Sequence, residues 1–184
     1  MAQQDWRKYL NFRCTGCGNC CRETVVLLTD ADVTRVAAGT GRAPREFVRF
    51  FGPDAVEMGS RHPLWVRFDS GRAVMALKWQ GGHCMFLAPD NRCTIYDHRP
   101  VTCREHPFNV TLSDTGGVER ISLSRVVKCP HEWDGRTSLN AIRSVVRWNE
   151  RQSDAYEEKI KIWNRKRSET RTRPGFLRYL GFEA

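Results

Sequence analysis

Cys14-Thr15-Gly16-Cys17-Gly18-Asn19-Cys20-Cys21 is the stretch on which the reading of this chain turns. Three thiols at i, i+3 and i+6 converge only if the backbone curls tightly, and Gly16 and Gly18 supply the φ freedom for that curl. Curled Cys-x2-Cys spacing suits tetrahedral zinc and iron–sulfur clusters alike, because each needs deprotonated sulfurs held a few ångströms apart. Cys21 follows Cys20 directly. Successive side chains tend to point apart, so these two are awkward ligands for a single ion and fit two different sites better.

Outward from the loop, four more cysteines follow at Cys84, Cys93, Cys103 and Cys129. The eight thiols then divide as three N-terminal plus one distal, and Cys21 plus three distal, giving two four-coordinate centres that tie the loop to the middle of the chain. Any lone distal cysteine, Cys84 or Cys129 for instance, reads also as a small buried hydrophobe. Vicinal thiols on a polar, glycine-containing loop make a poor core, so that plainer reading is weaker at the N-terminus.

Eight Cys in 184 residues is high for a cytoplasmic protein, where disulfides seldom persist, and this raises metal ligation above disulfide bonding. The cytoplasm is expected because Met1 to Lys8 has neither the apolar stretch nor the cleavage site of a secretory signal. At 40% hydrophobic and 28% charged the chain is neither disordered by composition nor membrane-embedded. Its longest aliphatic run, Val25 to Leu28, is far too short to span a bilayer.

Local patterns predict an α+β fold with short hairpins and helices. Thr24 to Leu28 reads as a strand, Thr29 or Asp30 as the cap of a short helix ended by Gly39, and Pro44 as the first turn of a second helix burying Phe47, Phe50 and Phe51. Turns at Asp69-Ser70-Gly71, Gly81-Gly82 and Pro89-Asp90-Asn91 predict hairpins, the last pairing Met85–Leu87 with Thr94–Tyr96 and bringing Cys84 near Cys93. Pro100 should open a short helix that carries Cys103 and stops before Pro107. A strand is expected from Val118 to Val127. From about Ser138 to Arg167 there is no Gly or Pro, and apolar residues at helical spacing predict one long amphipathic helix, with Ser153 as a place for a break. Residues 1–133 thus read as a cysteine-cluster metal-binding domain, and 134–184 as a basic amphipathic helix and tail packed on it.

The stretch Phe12 to Arg22, with Cys84-Met85-Phe86-Leu87, Cys93-Thr94-Ile95-Tyr96, Arg99-Pro100-Val101-Thr102-Cys103-Arg104 and Pro107-Phe108, resembles the CxxCxxCC family, the YkgJ-type cysteine-cluster proteins described as zinc- or iron-chelating domains. The resemblance covers about residues 10 to 130. It implies metal chelation by Cys14, Cys17, Cys20, Cys21, Cys84, Cys93, Cys103 and Cys129, and fixes neither the metal nor a reaction. Some members are associated with flagellin lysine N-methylation, a role that no feature of this chain singles out.

Three functions compete on these grounds. The first is a metal-binding protein holding zinc or an iron–sulfur cluster, with the three close thiols plus a distant fourth tipping the reading toward a cubane. The second is an iron–sulfur redox or protein-modifying, N-methylase-like enzyme. The Cys-x3-Cys-x2-Cys of radical S-adenosylmethionine enzymes is absent, as is His-Glu-x2-His. The third is a zinc-organised nucleic-acid module, suggested by the formal charge of +9 and by seven basic residues against Glu169 between Lys159 and Arg173. Trp148, Tyr156 and Trp163 there have the spacing of a core stripe rather than of a stacking platform. Two tetrathiolate centres would also lower the net charge to about +5. A protein partner is compatible with all three. His83 and His131 are substitute ligands, His98 and His106 flank the Cys103 helix, His62 has the least to recommend it, and Arg22, Arg99 and Arg104 could offset thiolate charge.

Overall fold

The computed structural model describes residues 6–183. The leader-free reading of the first residues falls partly on 1–5, outside the described residues. The chain opens with a single-turn 3-10 segment, Trp6–Asn11, and a two-residue strand β1 (Arg13–Cys14). A one-turn helix α1 (Asn19–Arg22) follows, then α2 (Asp30–Thr40). Thr29 caps α2 in a reciprocal box with Asp32, and Gly41 closes it at φ 67°, two residues beyond the Gly39 expected to end it.

The second helix of the sequence reading is cut short. Pro44 does start a helix, α3 (Pro44–Phe47), but Val48 turns extended and the chain runs on as strand β2 (Val48–Phe51). Phe50 therefore lies opposite Met75 in a sheet, edge-on to Phe68 at 5.1 Å, where a helical face had been expected. The i, i+3, i+4 spacing of the phenylalanines is real, but pairing with a distant strand outweighs it.

That distant strand is β4 (Gly71–Leu77), flanked by β2 on one edge and by β3 (Val66–Phe68) on the other, all antiparallel. Beyond β3 the same edge of β4 takes the 26–28 segment, with Leu28 N–H donating to Met75 O at 2.9 Å and Leu77 N–H to Val26 O at 2.9 Å. The strand expected at Thr24–Leu28 is thus a single bridge at Leu27. Ala73 to Leu77 are all buried, so both faces of β4 are covered.

Strands β5 (Trp79–Gln80) and β6 (His83–Cys84) form the hairpin expected around Gly81-Gly82. The pairing of 85–87 with 94–96 contracts to one bridge, Leu87 to Cys93, because Tyr96 turns into a 3-10 segment, Tyr96–His98. Helix α4 (Val101–Glu105) follows Pro100 and stops before Pro107, as the prolines required. A hairpin of β7 (Phe108–Leu112) and β8 (Val118–Leu123) comes next, shorter than the Val118–Val127 expectation, and then β9 (His131–Glu132).

The long helix α5 (Leu139–Asn164) is continuous. Ser153 does not break it, because its hydroxyl donates to Asn149 Oδ1 at 3.1 Å one turn back and leaves the backbone ladder intact. Ile142 and Val146 on α5 join a small cluster with Ile121. Tyr156, Ile160 and Trp163 enter the main core beside β4, with Phe176 and Leu177 of α6 (Arg173–Tyr179). Trp148 is half-buried and lies outside the main core, so the aromatic stripe holds for Tyr156 and Trp163 only. The fold is α+β. Among the described residues no helix is long and apolar enough to cross a membrane.

Candidate metal centre

The N-terminal loop curls where its glycines allow. Gly16 at φ 69° and Gly18 at φ 74° adopt the left-handed region, and a Cβ on Gly18 would stand 3.2 Å from Leu87. Gly16 N–H points at Cys14 Sγ, 3.4 Å away. Cys21 N–H then donates to Gly18 O at 3.0 Å, starting the turn of α1 that carries Cys20 and Cys21.

Backbone pairing decides which distal thiol meets this loop. β1 pairs with β9, setting Cys14 opposite His131. Thr15 Oγ1 donates to Pro130 O at 2.9 Å, and Asn19 Nδ2 to Lys128 O at 2.8 Å. Arg13 fastens the same edge through ion pairs with Glu132 and Asp134. Cys129 is thereby held beside the loop, within the electrostatic reach of Cys14, Cys17 and Cys20.

Cys21 is coupled to its neighbour Cys20 and to Cys84 on β6 and Cys93. Cys84 in turn lies close to Cys93 and Cys103, the proximity of Cys84 and Cys93 that the turn at 89–91 predicts. Cys103 on α4 senses Cys21, Cys20 and Cys93. Cys129 is thus coupled to Cys14, Cys17 and Cys20, and Cys21 to Cys84 and Cys93, while Cys20 acts also on Cys21, Cys93 and Cys103. All eight are free thiols, and their contacts are pairwise; among the described residues no three His, Cys, Asp or Glu side chains stand as a ready-made ligand group.

Crowding sets the charge behaviour of the thiols. The hydrogen bond to Cys21, burial and repulsion from Cys21 push the Cys20 thiol well up. Cys21 gains some thiolate character from its bond to Cys20, yet the contact with Cys84, burial and repulsion from Cys84 and Cys93 carry it to about 12. Burial first, then its neighbours, raises Cys103, and burial outweighs the help of Ile95 and Arg99 at Cys93. Cys129 rises to about 11 through burial and repulsion from Cys14, Cys17 and Cys20. Cys84 alone moves down, because Cys21 donates to it. Thiols that resist ionising because of one another become joint ligands once a divalent cation supplies the missing charge.

The histidines support rather than join these sets. His83 Nδ1 engages Cys84 O at 2.9 Å and His131 Nδ1 engages Cys129 O at 2.7 Å, each holding the carbonyl of a neighbouring cysteine. His131 also stacks edge-on with Trp133 at 4.5 Å. His62 and His98 are exposed, and burial lowers His106 toward the neutral form. Tyr96 does not point inward: it is 58% exposed, with the Arg99 guanidinium over its ring at 3.7 Å.

Sequence reasoning missed Asp32. This buried carboxylate accepts from Thr29 N–H and hydroxyl at the start of α2, and its other oxygen accepts from Val101 N–H at 2.8 Å. It locks the Cys103 helix onto α2. The capping signature Thr29-x-x-Asp32 was visible, but the bond to Val101, 69 positions away, was not. Beside α4 a cavity of about 120 Å³ opens between β7 and α5, lined by Arg104, Glu105, Phe108 and apolar residues of α5.

Residues 13–130 match the family CxxCxxCC, described as "Putative zinc- or iron-chelating domain". Over 108 residues the chain is 34% identical to an uncharacterized protein of Methanocaldococcus jannaschii, MJ0661; the aligned stretch takes in 56% of this chain. The chain spans 50% of that curated relative's length. No solved structure matches the chain.

Proposed function

The chain belongs to the CxxCxxCC family, and on that premise we propose that it chelates metal at two tetrathiolate centres, Cys14–Cys17–Cys20–Cys129 and Cys21–Cys84–Cys93–Cys103. One observation supports the division: Cys129 is coupled to Cys14, Cys17 and Cys20, and Cys21 to Cys84 and Cys93, although Cys20 also acts on Cys93 and Cys103. Residues 1–133 act as the chelating unit and 134–184 as a helical brace. A cytoplasmic setting, which keeps thiols reduced, suits eight free cysteines.

The occupant is zinc or iron, the two metals of the family description, and three close loop thiols with a distant fourth are the feature that favours an iron–sulfur cluster.

The basic segment gives a nucleic-acid role little support. Lys159 pairs with Asp30, Lys161 with Glu158, and Lys166 lies over Trp163 and Tyr179, so much of the charge is engaged internally. The test of the main reading is anaerobic purification with elemental and sulfide analysis. Two metal centres per chain are expected; stoichiometric sulfide with broad brown absorbance supports the cluster, zinc or iron without acid-labile sulfide sinks it in favour of single ions, and a metal-free protein would sink chelation altogether.

A further inference from the structure

The cleft between β7 and α5 involves none of the cysteines. Its walls are apolar: Phe108 and Val110 of β7 and Ile142, Val145 and Val146 of α5 line a chamber of about 120 Å³. A second cavity, of about 310 Å³, adjoins the first, sharing Glu105, Phe108, Val110 and Val146, and adds Asn109, Asn149 and Glu150. The cleft thus runs from an apolar chamber into a polar, acidic continuation. Two groups of opposite charge also line the chamber, Arg104 and Glu105, neighbours on α4. Among the described residues neither forms an ion pair, with the other or with a third group. Glu105 is half-buried and accepts from the neutral amide of Asn149 at 2.8 Å. A carboxylate drawn out of water beside apolar walls is costly to leave without a cation.

Apolar walls with a few polar groups at their edge are the composition of a small-molecule site. We propose that this cleft binds a free α-amino acid with an apolar side chain, its ammonium on Glu105, its carboxylate on Arg104 and its side chain in the chamber. Charge complementarity selects the class. A zwitterion answers both groups, whereas a simple cation leaves Arg104 unmatched and a simple anion leaves Glu105 so. The planar fork of an arginine takes a carboxylate through two parallel bonds, and Glu150 in the acidic continuation adds to the attraction for an ammonium. Size selects the side chain: an apolar cavity of about 150 Å³ accepts benzene, so the smaller chamber here suits a branched aliphatic group rather than a phenyl ring. The site uses no thiol and stands or falls apart from metal chelation.

The experiment is isothermal titration calorimetry of the full chain as purified, with L-leucine, glycine, isopentylamine and isocaproate as separate probes. Leucine should bind. Isopentylamine lacks its carboxylate and isocaproate its ammonium, and each should bind about 10-fold more weakly or worse, the scale of one lost hydrogen bond to a charged group. Glycine carries the same two metal-chelating groups without a side chain, so it reports coordination to any bound metal, and it too should bind weakly. Arg104→Gln and Glu105→Gln should each weaken leucine by about 10-fold. Val145→Phe, which fills the chamber from α5 and leaves both charges in place, should abolish binding. No leucine binding would overturn the proposal, and so would glycine, isopentylamine or isocaproate binding as tightly as leucine. Unchanged leucine affinity in Arg104→Gln and Glu105→Gln would overturn it as well. If those two variants do not fold, because they neighbour Cys103, Val145→Phe decides: wild-type affinity for leucine there overturns it.

Discussion

Around β4 the molecule is held by apolar side chains: Phe47, Met75, Tyr156, Trp163 and Phe176 are each no more than 2% exposed and come from four different elements. Between residues 13 and 22 the chain has a two-residue strand and a one-turn helix, in which no residue of either element is buried. That loop is tied down by side-chain bonds to 128–134 and by thiols. The first region meets the ordinary terms of folding, burial against chain entropy. The second buries little, and on the chelation proposed above its order would draw on what its cysteines bind.

Metal removal should break the comparison most widely. Structural thiolate sites contribute about 10 kcal/mol or more of apparent binding free energy each. Stripping metal with a strong chelator should abolish amide-exchange protection in 13–22 and 128–132 while 73–77 and 156–163 stay protected. Uniform loss of protection would mean that the two regions are one cooperative unit.

The opposite lesion is Phe176→Ala. Phe176 is fully buried, within 5.2 Å of Trp163 and edge-on to Phe68 at 6.0 Å. Truncation should cost about 3–5 kcal/mol in chemical denaturation. The number of metal equivalents bound below the transition should not change; if it falls, the thiol face leans on the core more than its contacts indicate.

Much of the thiol face was legible because its signals are local: cysteine spacing, permissive glycines in the loop, and prolines that start and stop the Cys103 helix. The core was less legible. The phenylalanines 47, 50 and 51 satisfy a helical stripe, and only β4, about 25 positions further on, turns two of them into strand residues. The bond of Asp32 to Val101 is likewise a product of tertiary approach, with no mark in the local pattern.

Asp32 links the regions, since α2 carries Val33 and Val36 into the core while α4 carries Cys103. Asp32→Ala removes the α2 cap and leaves Val101 N–H without its acceptor, a loss of about 2 kcal/mol once relief of the buried carboxylate is counted. Its sharper effect should be selective: in cobalt titrations one equivalent weakens and the other does not, because only the set containing Cys103 loses its anchor. Equal weakening of both equivalents would argue that α4 braces the whole loop.

The smallest effect belongs to Glu105, on the far side of α4 beside the cavity. Burial pushes its carboxyl up to about 7, despite the hydrogen bond donated by Asn149 at 2.8 Å, and repulsion from Asp32 and Glu150 adds to the rise. A carboxyl raised in the folded state favours folding while protonated. That contribution is complete below the ordinary carboxylate range and is lost as pH climbs from about 4.5 through 7. Glu105→Gln keeps a partner for Asn149 without the charge, so the variant should match wild type near pH 5 and exceed it above pH 7. Because Glu105 is only partly buried, the gain is about 1 kcal/mol after allowance for solvent screening. Denaturant midpoints at the two pH values measure it. A gain already present at pH 5 would place the cost in packing rather than charge, and would align this edge of α4 with the apolar region rather than the thiol face.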